Sequence, residues 1–145
     1  MRVYGMKYAR YAALILCDDV REEVGGKLSM MGIYHKDVVL PQMPMVLRSL
    51  CVCVILNAVK NIFTKCRFVL SLPGNKPLTV NLETEMEGKL GSDVVISSII
   101  ANIPVKSSGK AKIQFFFEND SRASLVRDFD VLLKTDPKRS QQQIS

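Results

Sequence analysis

The stretch Ala12–Tyr34 constrains the fold more than any other part of the chain. An apolar run, Ala12–Cys17, is followed by a charged segment, by the pair Gly25-Gly26, and by a second apolar run, Lys27–Tyr34. Both glycines can adopt the positive φ angles that a two-residue hairpin turn requires. The stretch therefore predicts a long β-hairpin on which the other strands are laid.

The spacing within this stretch also predicts how its two runs pair. With a two-residue loop, Val24 lies opposite Lys27 and Cys17 lies opposite Tyr34. Gly32 interrupts the return run. A glycine inside a strand indicates a bulge or the close approach of another part of the backbone.

Strand-like runs recur along the rest of the chain, separated by turn residues. Strands are predicted at 48–60, 65–72, 78–82, 94–105, 113–117 and 125–133. The segment His35–Pro44 is predicted to be a connection, because Pro41 and Pro44 are unfavourable in a central strand. No long stretch has helical periodicity. The pattern predicts an all-β chain folded as an antiparallel β-sandwich of about eight strands, with a closed β-barrel as the alternative.

One predicted strand has apolar side chains on both faces. Leu50, Val52 and Val54 lie on one face, and Cys51 and Cys53 alternate with them on the other. A strand that is apolar on both faces is typical of a central position covered on each side. We therefore expect this strand at the centre of a sheet.

The length of 145 residues predicts one domain with one core. We expect a basic N-terminal arm or edge strand at 1–10, a single sandwich at 11–134 and a disordered polar tail at 135–145. No apolar run approaches the ~20 residues that cross a bilayer. Ile15-Leu16 before Cys17 does not fit an export cleavage site. The expected location is the cytoplasm, without membrane contact.

The formal net charge of +6 is concentrated at the two ends of the chain. The candidate anion-contacting residues are Arg2, Lys7, Arg10, Lys138 and Arg139. Tyr4, Tyr8 and Tyr11 are interleaved with the N-terminal cations, a pattern compatible with stacking on nucleic-acid bases. It is equally compatible with a tyrosine-rich edge strand that packs on the body, and that interpretation is the favoured one.

The residues needed for catalysis are poorly represented. His35 is the single histidine, so a nucleophile has only one possible base, and it lies in a loop-like segment. Gly26-Lys27 resembles the end of a phosphate-binding loop, but Leu28 stands where Ser or Thr must hold magnesium. We therefore expect no enzymatic activity and no cofactor.

Four cysteines, Cys17, Cys51, Cys53 and Cys66, raise the question of a metal site. Four thiolates bind zinc when the fold brings them together. Here they lie within apolar runs rather than on turns, which favours packing as free buried thiols. The expected state is reduced, as in a cytoplasm, with zinc as the alternative.

The acidic residues Asp18, Asp19, Glu22 and Glu23 form a second candidate metal site. Calcium needs six or more oxygens that converge, whereas successive strand residues point to opposite faces. The simpler interpretation is a solvated hairpin end that prevents pairing with other chains. A metal-dependent enzyme built on these four carboxylates is the more remote alternative.

The segment CDDVREEVGGKLSMMGIY, Cys17–Tyr34, resembles a family of small uncharacterised bacterial and phage-associated proteins. In that family an apolar strand ends in a polar pair and is followed by a charged hairpin and a return strand similar to GKLSMMGIY. The resemblance implies a compact β-domain. It implies no activity, ligand or catalytic residue.

The sequence therefore predicts a non-catalytic domain that binds a protein partner or its own copies by strand addition at a sheet edge. Binding of an anionic ligand, nucleic acid or nucleotide, through the basic ends is the alternative. The candidate binding residues are Asp18, Asp19, Arg21, Glu22, Lys27, Tyr34, His35 and Lys36.

Overall fold

The computed structural model describes residues 1–4 and 6–134 and contains eleven β-strands, with no helix among those residues. The strands are β1 (Arg2–Val3), β2 (Ala9–Cys17), β3 (Asp19–Glu23), β4 (Lys27–Met31), β5 (Val38–Leu40), β6 (Met45–Val59), β7 (Lys65–Ser71), β8 (Leu78–Glu83), β9 (Val94–Val105), β10 (Gly109–Phe117) and β11 (Leu125–Leu133). The predicted tail at 135–145 lies outside the described residues. The described part of the chain contains no helix long and apolar enough to cross a membrane.

The strands form two principal sheets and one small hairpin. The six-stranded sheet has the order β1-β11-β10-β7-β8, and β5 also pairs with β11. The three-stranded sheet has the order β2-β6-β9, and β3 pairs with β4 alone. All of these pairings are antiparallel except the one between β5 and β11. The predicted antiparallel sandwich is confirmed, and neither sheet closes into a barrel.

The core lies between the two principal sheets. Alternate residues of the three-stranded sheet, among them Leu14, Val52 and Ile100, belong to the same buried cluster as Phe115 and Leu125 of the six-stranded sheet. This burial of apolar area is the main source of stability. Residues between these inward positions point to the outer face of their sheet.

The predicted pairing of Ala12–Cys17 with the return strand is wrong. β2 pairs with β6 along its length, from Ala9 opposite Val59 to Cys17 opposite Cys51. Only the last residues touch the return segment, where the Tyr34 N–H donates to the Leu16 carbonyl at 2.9 Å. The apolar run is long enough to join a full sheet, and burial there is greater than in an isolated hairpin.

The hairpin turn is also longer than predicted. Glu23 lies opposite Lys27, so the loop contains three residues, and the pairing differs by one residue from the predicted register. Gly25 and Gly26 have φ values of +86° and +74°, as the turn prediction required. Three-residue hairpin loops with a left-handed glycine are a common class, and the glycine pair alone does not distinguish them from two-residue loops.

The connection predicted at His35–Pro44 contains a short strand. β5 lies parallel to the end of β11, with Val38 opposite Val131 and Leu40 opposite Leu133. Pro41 and Pro44 come after the last residue of β5, so they are compatible with a three-residue edge strand at this position. The structure has eleven strands where about eight were predicted. The additional ones are β1, β5 and β3, which is separate from β2.

Candidate binding surfaces

The outer face of the three-stranded sheet carries no charged side chain at its strand-paired positions. We call this surface the neutral face, and it consists of Tyr11, Ala13, Ile15, Cys17, Cys51, Cys53, Ile55, Val95, Ser97, Ile99 and Ala101. Tyr11 is 63% exposed, Ile99 58% and Val95 40%. Large apolar side chains exposed together on one surface are typical of an interaction site. The sequence did not identify this face, because apolar residues alternate along a strand in the same way whether the face they form is covered or exposed.

The neutral face ends at β9, which is an edge strand. β9 pairs with β6 on one side, and no described strand pairs with its other side. Its sequence, VVISSIIANIPV, contains no charged residue. Edge strands of soluble proteins are normally protected by charges, proline or bulges. Here Asn102, with φ of +53°, and Pro104 interrupt only the last third of the strand.

Three of the four thiols lie on the neutral face rather than in the main core. Cys17 and Cys51 are opposite each other, and both are buried, as is Cys53. Burial raises the pKa of Cys51 to about 12 and that of Cys53 to about 11, and nearby thiols add to the effect. All three side chains are therefore neutral near pH 7. Cys66 differs, since it packs within the main core on β7.

The carboxylate of Asp18 is held at the boundary between the neutral face and the hairpin. The Tyr34 hydroxyl donates to Asp18 Oδ1 at 2.8 Å. Gly32, with φ of +65°, lies so close that an added Cβ would sit 2.1 Å from Asp18 Oδ2. This close neighbour is a side chain, whereas the sequence predicted a bulge or an approach of backbone; the backbone contact here is the Asp18 N–H, which donates to the Gly32 carbonyl at 3.2 Å. Burial and the bond to Asp18 raise the pKa of Tyr34 to about 12, so this hydroxyl remains a donor near pH 7.

The other predicted hairpin residues do not join Asp18 in one site. Asp19 accepts a hydrogen bond from Arg21 Nε at 2.8 Å. Glu22 lies opposite Leu28, and Lys27 is exposed beside the turn. In the described residues, no group of three or more His, Cys, Asp or Glu side chains is placed to hold a metal ion.

His35 and Lys36 line a different feature, an open cleft at the edge of β11 that we call the Arg127 cleft. It has a volume of about 580 Å³ and is lined by Met1, His35, Lys36, Asp37, Lys110, Ala111, Arg127, Asp128, Phe129 and Asp130. The cleft lies where the side of β11 that faces away from β10 has no described strand partner, since β1 pairs with Val126 and β5 begins pairing at Val131. Sequence reasoning missed Arg127 and Lys110, which only the strand pairing brings beside His35.

Arg127 occupies an inward-facing position on β11. Leu125, Phe129 and Val131, which share its side of the strand, are all buried. Burial lowers the pKa of Arg127, although the guanidinium stays protonated. Its hydrogen bond in the structure is donated to the Tyr34 carbonyl. The described residues contain two ion pairs, Arg2–Asp128 and Arg21–Asp19, and neither involves Arg127.

The N-terminal cations and tyrosines are largely engaged in packing. Arg2 forms an ion pair with Asp128 at 2.6 Å. The ring of Tyr8 stacks on Phe117, with centroids 4.3 Å apart. Lys7 lies 5.6 Å from the Tyr8 ring centroid. Arg10 lies beside Tyr11, at the border of the neutral face, with 5.6 Å between its guanidinium carbon and the ring centroid. Lys138 and Arg139 lie outside the described residues.

Comparison with known proteins places the chain in a family without assigning an activity. No curated protein matches it. A family model described as a family of unknown function, DUF6941, matches residues 12–126. The match covers most of the chain, including the hairpin, β10 and all of the neutral face except Tyr11, and the chain belongs to this family of unknown function.

Proposed function

We propose that this chain is a non-catalytic binding domain that acts by strand addition at β9, and that the strand it adds is β9 of a second copy. The proposal rests on one contrast within the neutral face: its composition is that of a covered surface, but several of its side chains are exposed. The outer-face residues Cys51 and Cys53 of the central strand β6 are buried, yet the described residues leave Tyr11 on β2 and Val95 and Ile99 on β9 exposed.

The absence of charge on β9 favours a second copy as the partner. In an antiparallel pair related by a two-fold axis, the residues of β9 near the axis lie close to their own counterparts. Like charges in such positions would repel each other, and the stretch Val94–Val105 has none. The pairing would also bring Val95 and Ile99 of the two copies onto one continuous face.

The available length of β9 limits the strength of the association. Asn102 and Pro104 leave Val94–Ala101 as the regular part of the edge. A strand pair of this length buries less than the ~1,600 Å² of a standard stable interface. We therefore expect a dimer with a dissociation constant on the order of micromolar, populated at high protein concentration.

Sedimentation equilibrium and hydrogen exchange test the proposal together. The wild-type chain should shift from monomer towards dimer as its concentration rises, and alternate β9 amides should gain protection in parallel. Ile99→Lys should weaken the dimer by at least about ten-fold, because each copy would place a lysine among the apolar residues of its partner's β9 and bring two like charges close together. Thr79→Lys adds the same charge to β8, the edge strand of the other sheet, and should leave the dimer unchanged.

A chain that stays monomeric at about 500 µM would contradict self-association at the expected strength. A dimer in which the β9 amides exchange as fast as in dilute solution would contradict the edge mode and indicate face-to-face packing. A monomer whose β9 amides are protected by a captured strand of another protein would replace the second copy with a different partner.

The finer expectations about biological setting are also proposals. We propose a cytoplasmic, bacterial or phage-associated protein, and the support is the resemblance of Cys17–Tyr34 together with four thiols that form no disulfide in the structure. The genes that neighbour this one would test the setting. Neighbouring phage structural genes would support the proposal. A gene that lies in a nuclear genome and encodes a secreted protein would contradict it.

A further inference from the structure

We propose that the Arg127 cleft is a binding site for an oxyanion, a carboxylate or a phosphate group, held by the fork of the Arg127 guanidinium. This site is independent of the β9 edge. It lies on the six-stranded sheet, and its residues are not part of the neutral face.

The hydrogen bonds of the Arg127 guanidinium are incomplete in the described residues. A guanidinium has five N–H donors in a planar fork, and the structure shows one bond, to the Tyr34 carbonyl. The group is half-buried among the inward-facing residues of β11, where unsatisfied donors and an unpaired charge are unfavourable. An oxyanion supplies both the acceptors and the opposite charge.

Arg67 shows that this chain can satisfy a half-buried arginine internally. Its guanidinium donates to the carbonyl oxygens of Glu118 and Asp120, at 3.1 and 2.8 Å. Its central carbon also lies 4.1 Å from the centroid of the Phe116 ring. Among residues 1–4 and 6–134, Arg127 has no comparable set of contacts.

Strand pairing on the side of β11 away from β10 is interrupted beside Arg127. The Asp130 N–H points away from β10 and donates to Asp37 Oδ1 at 3.2 Å. Main-chain groups of a strand alternate between its two sides, so the Asp128 N–H points to the same side as that of Asp130. A main-chain donor is therefore available next to Arg127, in the gap between β1 and β5.

The charges that line the cleft are compatible with an anion. Lys36 and Lys110 add positive charge to that of Arg127. Three carboxylates also line the cleft, but Asp128 is paired with Arg2 and Asp37 accepts from the Asp130 N–H. Asp130 lies opposite Lys110 in the strand register. Among the described residues, none of these three carboxylates forms an ion pair with the Arg127 guanidinium.

Titration followed by amide NMR tests this site on the full chain. The probes are inorganic phosphate and acetate, added at constant ionic strength. We expect saturable shifts confined to the amides of residues 35–37, 110–111 and 127–130 from at least one probe. Saturation by phosphate alone indicates a phosphate-bearing ligand, and saturation by acetate alone indicates a carboxylate.

Variants separate recognition by the fork from general attraction to positive charge. Arg127→Gln should weaken binding by about ten-fold or more. Arg127→Lys keeps the charge but loses the fork, and should weaken binding several-fold. Lys106→Ala removes a cation from the β9–β10 turn, outside the cleft, and should bind like the wild type.

Three outcomes would overturn the proposal. The first is that neither probe gives saturable shifts at the cleft of the wild-type chain, a result that needs no variant. The second is that Arg127→Lys, folded by its NMR spectrum, binds as tightly as the wild type. The third is that Lys106→Ala weakens binding as much as Arg127→Gln, which would indicate non-specific attraction.

Discussion

The two principal sheets share one core, but their outer faces differ in charge. On the six-stranded sheet, opposite charges face each other across neighbouring strands. These pairs are Lys112 with Asp128, Lys110 with Asp130, and Lys65 with Glu83. On the three-stranded sheet, the outer positions are the uncharged residues of the neutral face.

This difference separates two uses of an exposed sheet. Paired charges keep a face hydrated and disfavour pairing with other chains, at little cost in stability. The neutral face lacks this protection and resembles the inner surface of a sandwich. Under the proposed pairing of β9, charge patterning is a better guide than exposure in the isolated chain to which face meets water.

The largest expected effect compares two neighbouring isoleucines of β9. Ile100 points into the core and is 8% exposed, whereas Ile99 lies on the neutral face. Ile100→Ala should lower the free energy of unfolding by about 2–5 kcal/mol, because it creates a cavity. Ile99→Ala should lower it by less than about 1 kcal/mol in the monomer. Urea denaturation of dilute protein measures both, and equal losses would show that the neutral face is covered.

A smaller effect is expected where the neutral face meets the charged hairpin. Gly32→Ala should cost about 3 kcal/mol, since the new Cβ meets the Asp18 carboxylate in addition to the strain of positive φ. Gly25→Ala is the control, because its φ is also positive but nothing lies within 4 Å of the added carbon. It should cost about 1 kcal/mol. Equal thermal stability of the two variants would argue against the close packing of Asp18.

The neutrality of the neutral face depends on protonated thiols. The pKa values of Cys51 and Cys53 are raised from 9 in model compounds to about 12 and about 11. As pH rises, thiols of the unfolded chain lose their protons before the buried thiols of the folded chain do. The contribution of the buried, neutral thiols to stability is therefore complete below pH 9 and is lost towards pH 12. Urea midpoints should fall over that range. Cys53→Ala should reduce the slope, and an unchanged slope in this variant would assign the alkaline loss to other groups.

The smallest effect concerns the charged face. Asp128→Asn removes the charge that faces the half-buried Lys112 and pairs with the exposed Arg2. The free energy of unfolding should fall by less than about 1 kcal/mol, and the dimer should be unaffected. A large change in the sedimentation of this variant would mean that the six-stranded sheet also takes part in association.

Local patterns predicted the strands well where turns and alternation agree. The last four predicted strands all appear, and Gly25 and Gly26 adopt the expected left-handed conformation. The partner of Ala12–Cys17 was not predictable, because any apolar strand satisfies the pattern and only packing of the whole chain selects β6. The short strand β5 was missed because Pro41 and Pro44 dominated the local signal.

The candidate site was predicted less well, for a related reason. His35 and Lys36 were chosen for their place in the sequence, whereas their neighbours in the Arg127 cleft come from β10 and β11. One signal was available, since Arg127 interrupts a series of alternating apolar residues on the last strand. A charge at an inward-facing position indicates either an internal partner or a ligand, and only the structure distinguishes Arg127 from Arg67.

The position of β11 at the end of the described chain has a consequence during synthesis. β1 and β5 both pair with β11, so neither has its strand partner until Leu125–Leu133 has left the ribosome. The three-stranded sheet is complete once β9 has emerged. Translation of the remaining ~30 residues takes on the order of seconds. During that interval the open edge of β9 is available on nascent chains, and neighbouring ribosomes on one message would bring two such edges together.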